Sequence, residues 1–274
     1  MNRITQSLSF AKRYLLPIQH HSLLKQFAQR DILSRYRGSF FGIGWALLTP
    51  LLMLAVYVFA FRVVFNARWP GAEDSTLEFA LQVYAGLVVY GMFAETSNRA
   101  PRLMIEHTNL IKKVLFPLEI ISWSVVLTGL FHTFLSLVVL LITNWAVNHT
   151  FSLSIIALPL VLGPMVPLSI GLVWLISALG TYIRDINQVV NLIVSLMVFV
   201  SPVFFPLSAL PEQWQPLLAL NPLAPIIEQT RQVVLEGAWP DWGTIGIMWL
   251  TALVVAIAGA YIFHLLRRGF ADVL

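Results

Sequence analysis

The sequence predicts an all-α integral membrane protein with six transmembrane helices in a single domain over residues 1–274. Hydrophobic residues make up 58% of the chain and charged residues only 11%, whereas soluble proteins carry about 25% charged residues. The mean hydropathy of +0.79 agrees. Six apolar runs are each long enough for a helix to cross a hydrocarbon layer of about 30 Å, and most cations lie between these runs.

An interfacial amphipathic helix is predicted from Ser22 to Arg37, in a cytoplasmic arm formed by residues 1–39. Its direct junction with a span favours this prediction over an ordinary soluble helix. Asp31 and Arg35 lie four residues apart within the apolar arc, so we expect them to pair with each other. The apolar row consists of Leu24, Ala28, Ile32 and Tyr36.

The first span is predicted from Phe40 to Phe61, a run of 22 residues without a charge. It is too long for the core of a cleaved signal peptide, so we expect it to be retained. The remaining spans are predicted at Leu77–Thr96, Leu118–Val147, Leu153–Tyr182, Ile186–Leu210 and Gly243–Leu266, and a tail follows from 267 to 274. Prolines interrupt the fourth span and lie near the end of the fifth, where they are expected to kink the helices.

The distribution of cations predicts the orientation of the chain. Six crossings place both termini on one side, and fourteen of the 17 Lys and Arg residues lie on that side. The opposite loops are mostly acidic. Because loops rich in Lys and Arg stay in the cytoplasm, both termini are predicted to be cytoplasmic.

Two connections between spans contain structure of their own. The cytoplasmic segment Ser97–Pro117 mixes apolar and cationic residues, which predicts a short helix at a surface. The outer segment Ser201–Trp239 predicts two short helices, Pro211–Leu220 and Pro222–Gly237, that enter the outer leaflet without crossing it. Asn221 is the predicted cap of the second helix.

Several kinds of chemistry have no motif in this sequence. There is no Gly-Lys dipeptide for a Walker A loop, no H-E-x-x-H and no G-x-S-x-G motif. Cysteine is absent, which excludes disulfides and thiolate metal sites. The span centres contain almost no ionisable residues, which argues against an ion-coupled carrier, and no selectivity filter is visible.

The ionisable residues inside or beside the spans are expected to have structural roles. Glu95 and Glu119 lie at predicted cytoplasmic span ends, where interfacial anchoring is the favoured interpretation. His132 and His264 lie within spans, and packing or interface roles are favoured over metal binding.

Aromatic residues on the first span allow two interpretations. Tyr57, Phe61 and Phe65 follow an i,i+4 row, and Trp45 lies at the cytoplasmic mouth of the span. Aromatic faces can stack on sugar rings, so the row could guide a glycan. The alternative is an aromatic belt or a helix-packing contact, which the residues alone favour.

Three stretches together resemble permease subunits of type 2 ABC exporters for polysaccharides. RYRGSFFGIGWALLTPLL fits the pattern R-Y-[KR]-x-S-x-x-G-x-x-W-x-x-x-x-P at the entry to the first span. NLIKKVLFPLEIISWSVVL is similar to the family's cytoplasmic loop and third span. YIRDINQVVNLIVSLMVFVSPVFFPLSALP and LALNPLAPIIEQTRQVVLEG are similar to its fifth span and outer helices. The resemblance covers almost the whole chain and is strongest to O-antigen exporters, with capsule and teichoic acid exporters as near relatives.

The resemblance implies roles for four groups of residues. The substrate channel would be lined by Tyr57, Phe61, Phe65 and Trp45, and the cytoplasmic gate would contain Arg30, Arg35, Tyr36 and Arg37. The segment that couples to the ATPase would contain Leu103, Glu106, Leu110, Ile111 and Lys112, and the outer gate would contain Asn221, Pro222, Glu228 and Arg231.

The resemblance also implies partners. Two copies of the chain would form a homodimer in a bacterial inner membrane, in contact with membrane lipid and with two ATP-binding subunits. ATP and Mg would be bound by those subunits, so this chain would hold no cofactor and would be a transport permease rather than an enzyme. The cargo would be a lipid-linked polysaccharide similar to O-antigen, and no nucleic acid is expected.

Two alternatives remain. The same architecture could export a drug or a lipo-oligosaccharide. A membrane-bound enzyme of glycan assembly, such as a glycosyltransferase, is the alternative of another class. Such an enzyme should have acidic clusters at a membrane face, and the cytoplasmic loops lack them.

Overall fold

The computed structural model describes residue 14 and residues 20–60, 76–112, 116–149, 152–215, 218 and 220–274. Within these residues the chain is helical and contains no strand. Numbered over this part of the chain, the helices are α1 His21–Tyr36, α2 Trp45–Val58, α3 Thr76–Arg99, α4 Leu103–Glu106, α5 Thr108–Ile111, α6 Glu119–Asn148, α7 Leu158–Leu162, α8 Met165–Tyr182, α9 Ile186–Val200, α10 Leu223–Val234, α11 Trp242–Leu266 and α12 Phe270–Val273.

Four helical segments are long and apolar enough to cross a membrane. They cover Leu77–Glu106, Glu119–Asn148, Leu153–Tyr182 and Trp242–Val273. These segments confirm an all-helical protein that passes through the membrane more than once, and they coincide with the second, third, fourth and sixth predicted spans. The apolar stretches Gly42–Val58 and Ile186–Val200 are shorter and correspond to the first and fifth predicted spans.

The fourth predicted span is interrupted, as its prolines predicted. A 3-10 helix at Leu153–Ala157 leads into α7, and the chain bends at Gly163 and Pro164 before α8 begins. Pro167 lies inside the first turn of α8, where its missing N–H removes no hydrogen bond that the helix needs. The break therefore falls at one point rather than at each proline.

Helices α8 and α11 pack closely because small residues face each other. A side chain at Gly171 would meet the Val255 carbonyl oxygen at 2.5 Å and the Ala256 backbone nitrogen at 2.7 Å. A side chain at Gly259 would collide with the backbone of Gly171. Ala252, Ala256 and Ala260 are buried along the same side of α11. Small residues permit this approach, which is a common way for membrane helices to pack without a hydrophobic driving force.

Helix α1 packs against α6 with its predicted apolar row facing inward, and Ala28 is buried. The helix runs from His21 to Tyr36, which confirms the predicted helix to within one residue at each end, while its position at the membrane interface stays a prediction. Gly38 and Gly42 follow with φ angles of 82° and 53°. These left-handed conformations favour glycine and turn the chain from α1 into α2.

Helix α10 has 12 residues and is too short to cross a membrane. The predicted cap forms, since the Asn221 side-chain oxygen accepts a hydrogen bond from the Leu223 N–H at 3.0 Å. The first arm of the predicted outer hairpin, Pro211–Leu220, lies partly outside the described residues. Just after α10, the Gly237 carbonyl accepts a hydrogen bond from the Ser152 hydroxyl at 2.8 Å.

Candidate functional site

A partly buried polar group joins α1 to α3 and α6. The Asp31 carboxylate accepts hydrogen bonds of 2.6 Å from both the Arg99 guanidinium and the Thr128 hydroxyl. The prediction that Asp31 would pair with Arg35 is therefore wrong. Asp31 and Arg35 each contact a residue of opposite charge on α3 instead: Asp31 contacts Arg99, and Arg35 contacts Glu95.

The ionisation of Asp31 depends on this environment. Burial by itself raises the pKa of Asp31, but the hydrogen bonds from Arg99 and Thr128 outweigh burial and hold the pKa below its usual value. The carboxylate is therefore charged at neutral pH, when it bonds to both partners.

A second polar group surrounds Glu95. The Arg35 guanidinium lies 2.8 Å from the Glu95 carboxylate, and His132 Nδ1 lies 2.9 Å from both carboxylate oxygens. His132 Nδ1 also lies 3.2 Å from the Arg35 guanidinium, and Nε2 lies 2.8 Å from the Tyr36 hydroxyl. Four side chains from α1, α3 and α6 thus form one connected network.

A cavity of about 410 Å³ begins at this network and extends beneath α2; we call it the tyrosine slot. One wall is a single face of α2, formed by Ala46, Thr49, Pro50, Met53 and Tyr57. The other walls contain Tyr84, Leu87, Val88, Tyr90, Gly91, Glu95, His132 and Ser136, and the end nearest α1 contains Arg35 and Tyr36. The slot is therefore aromatic along its length and ionic at one end.

The residues predicted for the cytoplasmic gate separate into two places. Arg35 and Tyr36 belong to the Glu95 network. Arg30 and Arg37 line an open cleft of about 700 Å³ between α1 and the turn that contains Gly42. Arg30 also lies 4.9 Å from the centre of the Phe27 ring. Tyr36 lines this cleft as well as the tyrosine slot, so it joins the two places, whereas Arg35 lines only the slot.

The residues predicted for the substrate channel also separate. Tyr57 lines the tyrosine slot. Trp45 lies at the other end of α2, where its ring packs edge-on against Phe41 with centroids 5.5 Å apart. Phe61 and Phe65 lie outside the described residues, so the aromatic row stays a prediction.

The residues predicted to meet an ATPase have mixed exposure. Leu103 and Ile111 are buried, and they hold α4 and α5 against the bundle. Leu110 is half-buried, while Glu106 and Lys112 are exposed. The exposed face of this segment consists of Arg102, Ile105, Glu106, Asn109 and Lys112. Ile105, which is not among the five predicted coupling residues, is the exposed apolar residue of that face.

Of the four residues predicted for the outer gate, Asn221 and Pro222 lie just before α10, Glu228 lies in its middle and Arg231 lies in its last turn. Arg231 is almost fully buried, and it donates to the Gln82 carbonyl at 2.9 Å and to the Val203 carbonyl at 2.6 Å. Burial lowers the pKa of Arg231 to about 10, so the guanidinium still carries its charge at pH 7. Glu228 lies 3.4 Å from Arg231 and accepts from the Leu207 N–H at 3.1 Å.

Asn221 and Pro222 stand just before α10. The Asn221 amide donates to the Ser201 hydroxyl at 2.8 Å, in addition to capping the helix. Pro222 precedes the first helical residue. Together with Arg231 and Glu228, these residues tie α10 to α3 and to the chain that follows α9.

Helix α9 carries polar residues on an exposed surface. Gln188, Asn191 and Ser195 are spaced three and four residues apart and are all exposed, among exposed apolar residues that include Leu192 and Phe199. We call these three residues the polar stripe. Amide side chains are costly to place against lipid, so such a stripe indicates contact with water or with other protein.

The sequence prediction missed both polar networks. It placed Glu95 as an interfacial anchor and His132 as a packing residue, whereas the structure joins them. The available signal was that an ionisable residue within an apolar span usually faces another polar group. Their separation of 37 residues gave no indication that they would meet.

The described part of the chain contains no group of three His, Asp or Glu side chains that could hold a metal ion. The Glu95 network includes only one histidine and one carboxylate, and an arginine already neutralises that carboxylate. These side chains already bond to one another, and the arrangement is suited to binding polar groups.

Comparison with known proteins gives consistent results. The pattern of the ABC-2 type transporter family matches residues 22–235. The chain is 28% identical to the O-antigen export system permease protein RfbA of Myxococcus xanthus, over 93% of this chain and 96% of that protein. It is 27% identical to a protein of the same name from Klebsiella pneumoniae, over 92% and 95% of the two chains. It is 22% identical to the polysialic acid transport protein KpsM of Escherichia coli, over 86% and 90%.

Proposed function

Because this chain belongs to the ABC-2 type transporter family, we propose that it is the membrane subunit of an ATP-driven exporter of polysaccharide. Its relatives from Myxococcus xanthus and Klebsiella pneumoniae are named as O-antigen export permeases and cover nearly all of this chain. The relative from Escherichia coli is named for the transport of polysialic acid, another polysaccharide. The cargo proposed here is a lipid-linked polysaccharide similar to O-antigen.

The proposed architecture has six crossings in a bacterial inner membrane, with both termini in the cytoplasm. The shorter helices α2 and α9 would supply the first and fifth crossings, and α10 would enter the outer leaflet and return. The distribution of Lys and Arg supports this orientation. Contacts between segments agree, since the Tyr182 hydroxyl donates to the Leu266 carbonyl at the proposed cytoplasmic end.

The observation that carries the proposal is the polar stripe on α9. By helix geometry, Asn191 lies about 8 Å along the axis from the first residue of α9, and the residues that follow it to Val200 are apolar except for Ser195. A lipid-facing helix would leave its amide without a hydrogen-bond partner. A polar path at the face of α9 satisfies that amide and supplies the route that a hydrated glycan requires.

A homodimer would provide the second wall of this path. Helices α2 and α9 each bury only two residues within one copy. Their exposed faces combine apolar side chains with the polar stripe. A second copy could cover the apolar parts while the polar stripe faced the path between the copies.

Energy for transport would come from a separate ATP-binding subunit, since the sequence has no Walker A motif. We propose that this subunit docks on the exposed face of α4 and α5. Ile105 supplies an apolar contact there, and Arg102, Glu106 and Lys112 supply charges around it. This arrangement of an apolar centre with a polar rim is typical of protein interfaces.

Deletion of the gene tests the function directly. The deletion strain should lose surface polysaccharide and accumulate lipid-linked glycan on the inner side of the membrane, and a plasmid copy should restore export. Normal surface polysaccharide in the deletion strain would contradict the proposal. Loss of the glycan from both sides would instead indicate an enzyme of glycan assembly.

The docking proposal is tested with Ile105→Asp. This exposed position should tolerate the charge, so the chain should remain folded and inserted while the ATP-binding subunit no longer co-purifies. Leu220→Asp is the control, because Leu220 is also an exposed apolar residue but lies just before α10. Equal recovery of the ATP-binding subunit with both variants would contradict docking at Ile105.

A further inference from the structure

The tyrosine slot combines features that helix packing does not require. A packed interface between membrane helices excludes space, whereas this one retains about 410 Å³ beneath α2. That volume lies within the range of small-molecule sites, about 300–1,000 Å³. The slot also concentrates tyrosines, with Tyr57 on one wall and Tyr84 and Tyr90 on the other. An aromatic cavity of this size is a candidate binding site.

Polar groups inside the slot are placed to bind a ligand that both donates and accepts hydrogen bonds. Tyr84 is buried, and its hydroxyl approaches Ser136 without reaching a well-formed hydrogen bond. Pro50 has no N–H, so the Ala46 carbonyl lacks its usual donor four residues later. Ala46, Pro50, Tyr84 and Ser136 all line the slot. A ligand with several hydroxyl groups could bond to these positions.

The charge inside the slot argues against an anionic ligand. Arg35 lies 2.8 Å from Glu95, so the two formal charges cancel. A phosphate placed beside Arg35 would also meet the Glu95 carboxylate, and like charges repel. A purely apolar chain would leave the ion pair and the buried hydroxyl unsolvated. The ligand that fits is neutral, rich in hydroxyl groups and apolar on its faces.

We propose that the tyrosine slot binds a short neutral stretch of sugar units from the transported glycan. A sugar ring offers apolar C–H faces to the tyrosine rings and hydroxyl groups to the polar end. This inference rests on the proposed function, and it adds a holding site within each copy of the chain. The Tyr90 hydroxyl donates to the Val194 carbonyl of α9 at 2.7 Å, which connects the slot wall to the proposed path.

Protection of a single cysteine tests the slot in the complete exporter with its ATP-binding subunit. Ser136→Cys is a conservative change at a slot position, and the chain has no other cysteine. The probe is the strain's own polysaccharide, cut from its lipid. It should slow the reaction of the Ser136→Cys thiol with a small water-soluble reagent at least fivefold. Gln213→Cys, in an exposed turn away from the proposed docking face, should react equally with and without the glycan.

Two substitutions at Tyr84 examine how the glycan is held. Tyr84→Phe keeps the ring and removes the hydroxyl, whereas Tyr84→Leu removes the aromatic face. In the Ser136→Cys background, Leu should raise the glycan concentration for half-protection about threefold to tenfold, and Phe should raise it less. Thermal midpoints of the purified variants show whether each chain is folded.

Several results would overturn the inference. The first is the absence of protection at both Ser136→Cys and Thr49→Cys, which lies on the opposite wall. The second is protection by vesicles containing polyprenyl phosphate but not by free glycan, which would indicate a lipid site. The third is a cysteine that does not react at all, because the slot would then be closed to water. If the wild-type chain restores export in the deletion strain, any of these results removes only the slot proposal.

Discussion

Helices α8 and α2 have similar apolar compositions but opposite surroundings. Eleven of the 18 residues of α8 are buried, whereas α2 buries only Ala46 and Leu54 among its 14 residues. Helix α9 resembles α2, with Val190 and Val194 buried. We call α3, α6, α8 and α11 the body of the molecule, and α2 and α9 its peripheral helices.

The difference shows how one chain can combine a fixed frame with a surface for transport. In the body, the backbones of α8 and α11 touch at Gly171 and Gly259, where no side chain could be added without a clash. The peripheral helices have fewer contacts that a movement would break, and α2 covers the tyrosine slot. Hydropathy does not distinguish the two regions, because lipid, a second copy and a packed bundle all accept apolar side chains.

The largest effect is expected where the body is most tightly packed. Gly259→Leu would force a side chain into the backbone of Gly171. Overpacking of this kind costs about 3 kcal/mol, so the thermal midpoint of the purified chain should fall by roughly 10 °C. Gly246→Leu is the control, because Gly246 lies on the same helix with open space around it. A similar loss in both variants would contradict the packing difference.

The second effect concerns the connection of α10 to the body. Arg231→Met keeps the length of the side chain but leaves the Gln82 and Val203 carbonyls without their donor. We expect a loss of about 3 kcal/mol in stability. Arg231→Lys should recover only part of it, since a lysine cannot reproduce the guanidinium fork. Denaturation in detergent measures both variants, and an unchanged midpoint for Arg231→Met would show that α10 is held by packing alone.

The sequence predicts the body well because its signals are local. The length of the apolar runs places α3, α6 and α11 to within a few residues, and Asn221 predicts the start of α10. The row from Leu24 to Tyr36 predicts the inward face of α1. These features depend on neighbouring residues along the chain or on burial in the membrane. Both leave a pattern that can be recognised in a single sequence.

Partners distant in sequence could not be predicted in this way. Asp31 and Arg35 satisfied the local rule for an i,i+4 pair, yet each bonds to another helix. Opposite charges on α3 compete with the local pair, and the geometry of the bundle decides between them. The tyrosine slot was equally hidden, because Tyr57 and Tyr84 are far apart in the chain and only α2 packing leaves space between them.

A third, smaller effect concerns the attachment of α1 to the body. Because the pKa of Asp31 is lowered in the folded state, its ionisation stabilises the docked helix above the ordinary pKa of 3.8. This stabilisation is lost as the pH falls through the lowered pKa. A nitroxide label at Ser34→Cys should therefore be equally immobile between pH 5 and pH 8 and should gain mobility in more acidic solution.

Asp31→Asn provides the comparison for that experiment. Without the carboxylate, the label should be more mobile at pH 7, and acid should cause a much smaller change. If acid mobilises the label as strongly in Asp31→Asn as in the parent, another group controls the docking of α1.

The central claim is that the exposed face of α9 borders a polar path, and single-cysteine reactivity tests it most directly. Ser195 on α9 and Thr251 on α11 each lie nine residues from the start of an apolar helix. Both are exposed, and both hydroxyls donate to the carbonyl four residues earlier. They therefore differ mainly in the surface that they face.

In native membranes, a charged thiol reagent should modify Ser195→Cys rapidly, because water reaches a glycan path, and should modify Thr251→Cys at least tenfold more slowly. Addition of the ATP-binding subunit with ATP should change the rate for Ser195→Cys and leave the rate for Thr251→Cys unchanged. If the Ser195→Cys variant is as unreactive as the Thr251→Cys variant, the face of α9 meets lipid or packed protein, and the proposed path does not run along it.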